Sequence, residues 1–347
     1  MRRKFGCALL CLFLIGVAFA GYGESADKKY KIGLSNSYMG NDWRQIMIKT
    51  ATVVAGKPPY DEKVDFSVVN CENTPEAQTA TIDVMIEQGY DAILIDASST
   101  TALTPVINRA IAAGIVCVTF DSVADHPDVY IAQTNLADLS KAWANFLVAQ
   151  LKPGAKIAVD TGLPGMTNGN IVYETAMKIF KDAGINVVAE FAGEWADGVG
   201  QQKISSVLAA NPDLDGLFSQ VYGETILAAF TQAGRDLIPC TAYDTNAGML
   251  AALDNNMNII IGNNAPGLSA IALSVAVRVL DGEKVDKLTE ITPGLFSNVA
   301  IDVGFPVTKI VEGVNAFRDL PGALDWPVLP ADFEPSVTIE EIANYQN

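Results

Sequence analysis

The chain has one histidine among its 347 residues, His126, and that scarcity excludes a good deal. Ser-His-Asp and Cys-His hydrolases need an imidazole beside the nucleophile. No such set can be assembled without His126, which precedes Pro127 in a stretch expected to face solvent. Nucleotide-binding glycine patterns are lacking as well. No G-x-G-x-x-G follows a strand-like run, Gly162-Leu163-Pro164-Gly165 has the wrong spacing, and there is no P-loop or metal-ligand cluster. No cofactor is expected, and no enzymatic activity.

Basic residues are few: 23 Lys and Arg face 40 Asp and Glu. Such a surface repels nucleic acid phosphates, anionic lipid and polyanionic ligands. The cysteines form no framework. Cys7 and Cys11 lie near the start, and Cys71, Cys117 and Cys240 are an odd set without metal spacing. Cys117 in GIVCVTF and Cys240 in LIPCTAY sit in apolar runs and are expected to be buried free thiols. Cys11 precedes most of the N-terminal apolar stretch, so no lipid anchor is expected there.

Long apolar runs are also missing beyond the first 20 residues. Arg2, Arg3 and Lys4 precede the apolar run Ala8–Ala20, which closes on Ala18-Phe19-Ala20. That is the pattern of a cleavable secretory signal over residues 1–20, with the mature chain starting near Gly21. A run of about 13 residues is too short to span a bilayer. Without the signal, 20 basic residues remain against 40 acidic ones, a formal net charge of −20.

What is present is a strand–helix alternation long enough for two domains. Lys31–Ser35 reads as a strand, Asn36–Asn41 as a polar loop, and Trp43, Ile46, Met47 and Ala51 fall at helical spacing. Val64–Asn70, Asp91–Asp96, Ile115–Phe120 and Val129–Thr134 are further strand-like runs, and Thr74-Pro75 opens a helix. The alternation restarts at Lys156–Asp160 and continues to Ile259–Ile261. The period predicts α/β lobes with doubly wound parallel sheets, whose ligands sit outside the strands' carboxyl ends. An internal echo supports two similar halves. Asp91–Ser122 and Asp215–Thr245 each run strand, polar loop, helix and strand, and end in Phe120-Asp121-Ser122 and Tyr243-Asp244-Thr245.

Strand ends and helix starts carry an inventory suited to polyols: aromatics to stack on apolar C–H faces, and planar polar groups to pair with hydroxyls. The candidates are Asn41, Trp43, Arg44, Asp96, Asp121, Tyr173, Trp195, Tyr243, Asp244 and Asn263, with Arg44 the cation expected to partner the buried carboxylates.

At these residues the chain resembles the type I periplasmic sugar-binding proteins, the ribose-binding group that serves ABC importers, over roughly Lys31–Val303. The first unit, with Trp43-Arg44, resembles galactofuranose-type binders; ribose binders carry paired phenylalanines there. The family's strand-end Asp falls on Asp121, although Ser122 stands where ribose binders have Arg. Its aromatic-Asp pair falls on Tyr243-Asp244, its stacking aromatic on Trp195, and its hinge-side polar residue on Asn263. The family's Arg at the start of the second lobe's first long helix aligns near Tyr173, with Asn170 as a neighbouring substitute. The resemblance implies two lobes, residues 27–132 with 264–299 and residues 133–263 with 300–347. Three hinge strands would join them near Ala132-Gln133, Gly262-Asn263 and Asn298–Ala300. It further implies a periplasmic monomer that closes on a monosaccharide or sugar alcohol and presents it to a membrane permease. A sensory protein of the same fold, a repressor-like regulator and a secreted sugar-modifying enzyme are the alternatives. The signal-like start and the acidic charge disfavour the regulator.

Overall fold

The computed structural model describes residues 28–164, 166–321, 329 and 333–345. The expected signal peptide over residues 1–20, with Cys7 and Cys11, lies outside the described residues.

The first lobe is built from β1 (Tyr30–Asn36), α1 (Asp42–Ala55), α2 (Tyr60–Lys63), β2 (Val64–Asn70), α3 (Pro75–Glu87), β3 (Ala92–Asp96), α4 (Thr104–Ala112), β4 (Val116–Phe120) and β5 (Tyr130–Thr134). Local chemistry fixes these elements. Thr74 accepts a hydrogen bond from the Ala77 amide and Pro75 fills the first turn of α3, the N-cap arrangement that satisfies otherwise orphaned donors. All five residues of β3 are buried, as a central parallel strand covered on both faces requires.

The second lobe follows: α5 (Leu136–Gln150), β6 (Lys156–Asp160), α6 (Thr167–Asp182), β7 (Asn186–Phe191), α7 (Asp197–Ala210), β8 (Gly216–Phe218), α8 (Gly223–Ala233), β9 (Cys240–Tyr243), α9 (Asn246–Asp254) and β10 (Ile259–Gly262). The chain then returns to the first lobe for α10 (Leu268–Leu280) and β11 (Leu288–Ile291), and crosses again for β12 (Leu295–Ser297) and β13 (Thr308–Lys309). A last helix, α11 (Ile339–Asn344), opens with the capping box that Thr338 and Glu341 form.

Two sheets result, in the orders β11-β5-β4-β3-β1-β2 and β13-β12-β10-β9-β8-β6-β7. Their inner strands follow one plan, β5-β4-β3-β1-β2 matching β10-β9-β8-β6-β7, so the echo ending in Asp121 and Asp244 is a true structural repeat. Pairing is parallel apart from β10 with β12. Each sheet is packed on both faces. In the first lobe α1 and α10 cover one face through Met47, Val54, Leu268 and Leu273, while α3 and α4 cover the other through Ile82, Val106 and Ile107. Cys117 and Cys240 are buried and, with Cys71, are free thiols.

The crossings between lobes differ in part from the expected hinges. The first comes at Asn135, just past β5, where the side chain caps α5 by accepting from the Asp138 amide. The second is at Asn263–Gly267. The third lies at residues 292–294, not at Asn298–Ala300, because β12 already belongs to the second sheet. Pro293-Gly294 forces that turn, and the Gly294 carbonyl accepts from the Asn263 amide at 3.0 Å, tying two crossings together. Of residues 300–347, Val303, Ile310 and Ala316 are buried in the second lobe as expected, whereas the end of the chain packs elsewhere. Leu329, Phe333 and Val337 pack on the first lobe's core, and Ile339 and Ile342 of α11 pack with Ile46 of α1.

Candidate ligand-binding cleft

The loops at the carboxyl ends of both sheets face one another across a cavity of about 500 Å³. On the first-lobe side, β1 ends at the fully buried Asn36, whose Nδ2 donates to the Tyr38 carbonyl (2.7 Å) and to Asn70 Oδ1 (2.8 Å). Its Oδ1 accepts from Arg44 Nη1 at 3.0 Å. Asn41 caps α1 by accepting from the Arg44 amide at 3.1 Å. This cap fixes where α1 begins and so places Trp43 and Arg44 on the cavity wall.

Arg44 is 6% exposed and pairs with Asp96, which is fully buried at the end of β3. Burial pushes the Asp96 carboxyl well up, the Asp121 carboxylate adds to the rise, and the Arg44 guanidinium offsets only part of it. Arg44 Nη2 also lies 3.9 Å from Asp121 Oδ2. Asp121 in turn accepts from Asn264 Nδ2 at 2.7 Å, and Trp43 Nε1 donates to the Asn264 carbonyl at 2.6 Å. Asp121 has φ +53°, an uncommon left-handed conformation for a residue other than glycine. Such positions cost of order 1–3 kcal/mol and persist where surroundings over-determine them, which this network does.

The second-lobe wall hangs on Asp160 at the end of β6. This fully buried carboxylate accepts three backbone N–H bonds, from Gly162 (2.9 Å), Gly193 (2.8 Å) and Gln220 (3.0 Å). It thereby joins the loops that carry Leu163, Trp195 and Tyr222 to the cavity. Gly193 is needed there because a Cβ would lie 2.5 Å from Asp160 Oδ2 and 2.6 Å from Val221. Glu194 (φ +59°) and Trp195 (φ +52°) are again left-handed, and the buried Trp195 Nε1 has no hydrogen-bond partner among the described residues.

Tyr243 packs edge-on against Trp143 with ring centroids 5.0 Å apart. Burial raises its pKa, reinforced by the carboxylates of Asp121, Asp160 and Asp244, so the phenol keeps its proton. Asp244, 2% exposed, accepts from Asn263 Nδ2 at 3.2 Å. Glu224, in the first turn of α8, accepts from the Thr245 hydroxyl at 2.8 Å, and burial pushes its carboxyl up to about 7. The lobes touch across the cleft. Asn168 Nδ2 donates to Asp121 Oδ1 at 3.1 Å, and the Thr100 and Thr167 hydroxyls lie 3.1 Å apart.

Of the residues singled out from sequence, Asn41, Trp43, Arg44, Asp121, Trp195, Tyr243 and Asp244 line the cavity. Four do not. Asp96 and Asn263 stand one layer behind, holding Arg44 and Asp244. Asn170 is exposed, and Tyr173 donates to Glu190 at 2.9 Å away from the cavity. The reason is helical phase. α6 starts at Thr167 and presents Asn168 to the cleft, and a residue two further on is turned by about 200°. Asn168, Glu224, Tyr222, Asn264 and Tyr38 were not singled out for this role. Their only sequence signal is position just after a strand end or at a helix start.

Asp160, pushed up to about 6 by burial, and Glu224 hold protons more tightly in the folded chain than in the unfolded one. Their stabilising contribution is therefore complete below about pH 4 and is lost as pH rises to 6 and 7. Each shift corresponds to about 3 kcal/mol at most. The lowered carboxyls of Asp213, Asp254, Asp281 and Glu341 oppose this, but they are exposed ion pairs of little weight. The ligand-free protein is expected to melt higher at pH 5 than at pH 8, and Glu224→Gln to flatten the upper part of that slope. A melting temperature that climbs from pH 5 to pH 8 would contradict the assignment of these carboxyls.

Residues 32–284 match the family described as periplasmic binding protein domain. The chain is 26% identical over 269 residues to the ribose import binding protein RbsB of Bacillus subtilis (strain 168), covering 75% of this chain and 85% of that one. It superposes on the solved structure of an ABC transporter solute binding protein from Thermobispora bispora DSM 43833 with a TM-score of 0.71 at 29% identity, over 77% of this chain and 85% of that one. It also superposes on a galactofuranose binding protein (TM-score 0.67, 18% identity, 77% and 94% covered), which bears on the fold alone.

Proposed function

The chain belongs to the periplasmic binding protein domain family, and on that premise we propose that its cleft captures a monosaccharide or sugar alcohol for delivery to an ABC importer permease. The observation that carries this reading is the set of groups converging on the cavity. Trp43 and Trp195 offer aromatic faces from opposite lobes, and Asp121 and Asp244 offer carboxylates from the matching ends of β4 and β9. Hydroxyl-rich, C–H-faced molecules are recognised by such sets. The protonated Tyr243 supplies a donor to match.

Charge narrows the ligand further. Asp42, Asp121, Glu194, Asp197, Glu224 and Asp244 line the cavity against one cation among the described residues, Arg44. Arg44 is already engaged by Asp96 and Asp121. Sugar acids and sugar phosphates would meet uncompensated repulsion there, so the ligand is not an anion. The ligand is released unaltered, and the protein acts in the periplasm as a monomer.

A thermal-shift screen of pentoses, hexoses, furanoses and polyols, followed by calorimetry, tests this. A ligand at 100 times its Kd adds about 2.7 kcal/mol of stability. At least one neutral sugar or polyol is expected to raise the melting temperature and to be recovered unaltered. Trp43→Ala or Trp195→Ala is expected to weaken it by about 1 kcal/mol, or roughly fivefold. A protein that no polyol stabilises, or that converts its sugar, would sink the reading.

A further inference from the structure

The C-terminal segment is fastened to both lobes, and the three crossings do not account for it. Its first part is clamped along α9 of the second lobe. At the start of that helix the fully buried Asn246 donates to the Phe317 carbonyl (2.7 Å), more loosely to those of Pro321 (3.3 Å) and Leu320 (3.4 Å), and accepts from the Phe317 amide (2.8 Å). At the far end Arg318 forms a two-bond fork with Asp254, at 2.7 and 3.1 Å. The last part belongs to the first lobe. Ile342 is fully buried with Ile339 and Ile46 of α1, and Lys57 reaches Glu341 at 2.7 Å and the Ser336 carbonyl at 3.1 Å. Phe317 and Leu320, anchored on the second lobe, pack against this same cluster.

The two attachment points adjoin the cleft itself. Ile46 lies one turn beyond Trp43 and Arg44, and Asn246 lies two residues past Asp244. Drawing the lobes apart separates the start of α1 from the start of α9. That motion must either pull Phe317 and Leu320 off the Ile46–Ile342 cluster or break the Asn246 bonds.

We propose that this segment is a strap that limits how far the cleft opens when no ligand holds the lobes together. A protein kept near its closed form loses less free energy on closing around ligand, because apparent affinity scales with the population of the binding-competent state. Two half-buried apolar side chains are enough to restrain opening and too few to forbid it.

The test uses the full chain and the variant Phe317→Ala/Leu320→Ala, which spares the cavity, with Ile342→Asp as a stronger release of the far end. Small-angle scattering of the ligand-stripped proteins reads the opening directly. The released chains are expected to show a larger radius of gyration than the wild type. With the best neutral polyol from the screen, Kd is expected to rise roughly tenfold, a loss of about 1.4 kcal/mol. Ligand-free scattering that is the same for wild type and both variants would overturn the strap. Because that readout needs no ligand, failure of every polyol to bind would count against the proposed function and leave the scattering result to decide the strap. Should Ile342→Asp fail to fold, the milder double variant still decides it.

Discussion

Arg44→Ala is expected to lower the stability of the ligand-free protein by about 3–5 kcal/mol, the usual cost of breaking a buried ion pair by removing one partner. The reason is Asp96. It is fully buried, no other cation reaches it among the described ion pairs, and its Oδ1 already lacks a hydrogen-bond partner. Without the guanidinium the carboxylate must either stay charged in a dry site or take up a proton. Asn36 Oδ1 loses its 3.0 Å donor in the same step. Asp96→Asn alone leaves Arg44 half-neutralised by Asp121, which lies 3.9 Å away, and should cost less. The double variant Arg44→Met/Asp96→Leu removes both charges and is expected to recover much of the loss, because a buried pair rarely outperforms apolar groups of similar volume. Thermal or urea unfolding of the wild type, Arg44→Met, Asp96→Leu and this double variant closes a cycle and gives the coupling energy directly. Coupling below about 0.5 kcal/mol would mean that the pair is not the anchor of the first-lobe wall.

The fold was legible because the apolar runs were unambiguous. β3 reads AILID and is buried on both faces, and Leu268–Leu280 forms the helix that its spacing announces. The repeat was legible because two strands end in the same aromatic-Asp-hydroxyl triplet, and both Asp residues reach the cavity. What sequence could not supply was phase and depth. Asn168 and Asn170 are two residues apart in one helix, and only the start of α6 at Thr167 decides which of them faces the cleft. Asp96 and Asp121 both end strands of the first sheet, yet one supports Arg44 from behind and the other lines the cavity. Asp160 ends a strand as they do, but its three amide donors come from loops widely separated in the chain, and no local pattern encodes that. The third crossing was misplaced because LFS makes a strand of only three residues, shorter than hydrophobic alternation can reveal. The tail's attachment to α1 has the same origin: isoleucines at 339 and 342 announce a buried helix face without naming the partner it covers.

Asp244→Ala is expected to weaken sugar binding by about 2–4 kcal/mol, or roughly 30- to 1,000-fold in Kd. Asp244 is 2% exposed at the cavity wall, so a hydroxyl that loses this acceptor finds no water in exchange when the cleft is shut. Stability should change less, because the Asn263 amide is one layer behind and close to the crossing backbone. Asp121→Ala should match that loss of affinity by a different route. It removes a ligand acceptor, releases Asn264 and the cross-lobe bond from Asn168, and puts alanine at a left-handed φ that it tolerates less well than aspartate. The two effects separate kinetically. Loss of Asp244 acts on ligand already enclosed and should appear in the dissociation rate. Loss of Asp121 also weakens lobe-to-lobe contact, so the ligand-free protein should scatter as a more open particle. Closure draws its free energy from a ligand touching both walls, so the double variant should lose less than the sum of the single losses once ligand no longer bridges the lobes. Calorimetry in which either single variant binds the sugar as the wild type does would remove that carboxylate from the site. Strict additivity in the double variant would instead mean that the two carboxylates act on the ligand independently, with no coupling through closure.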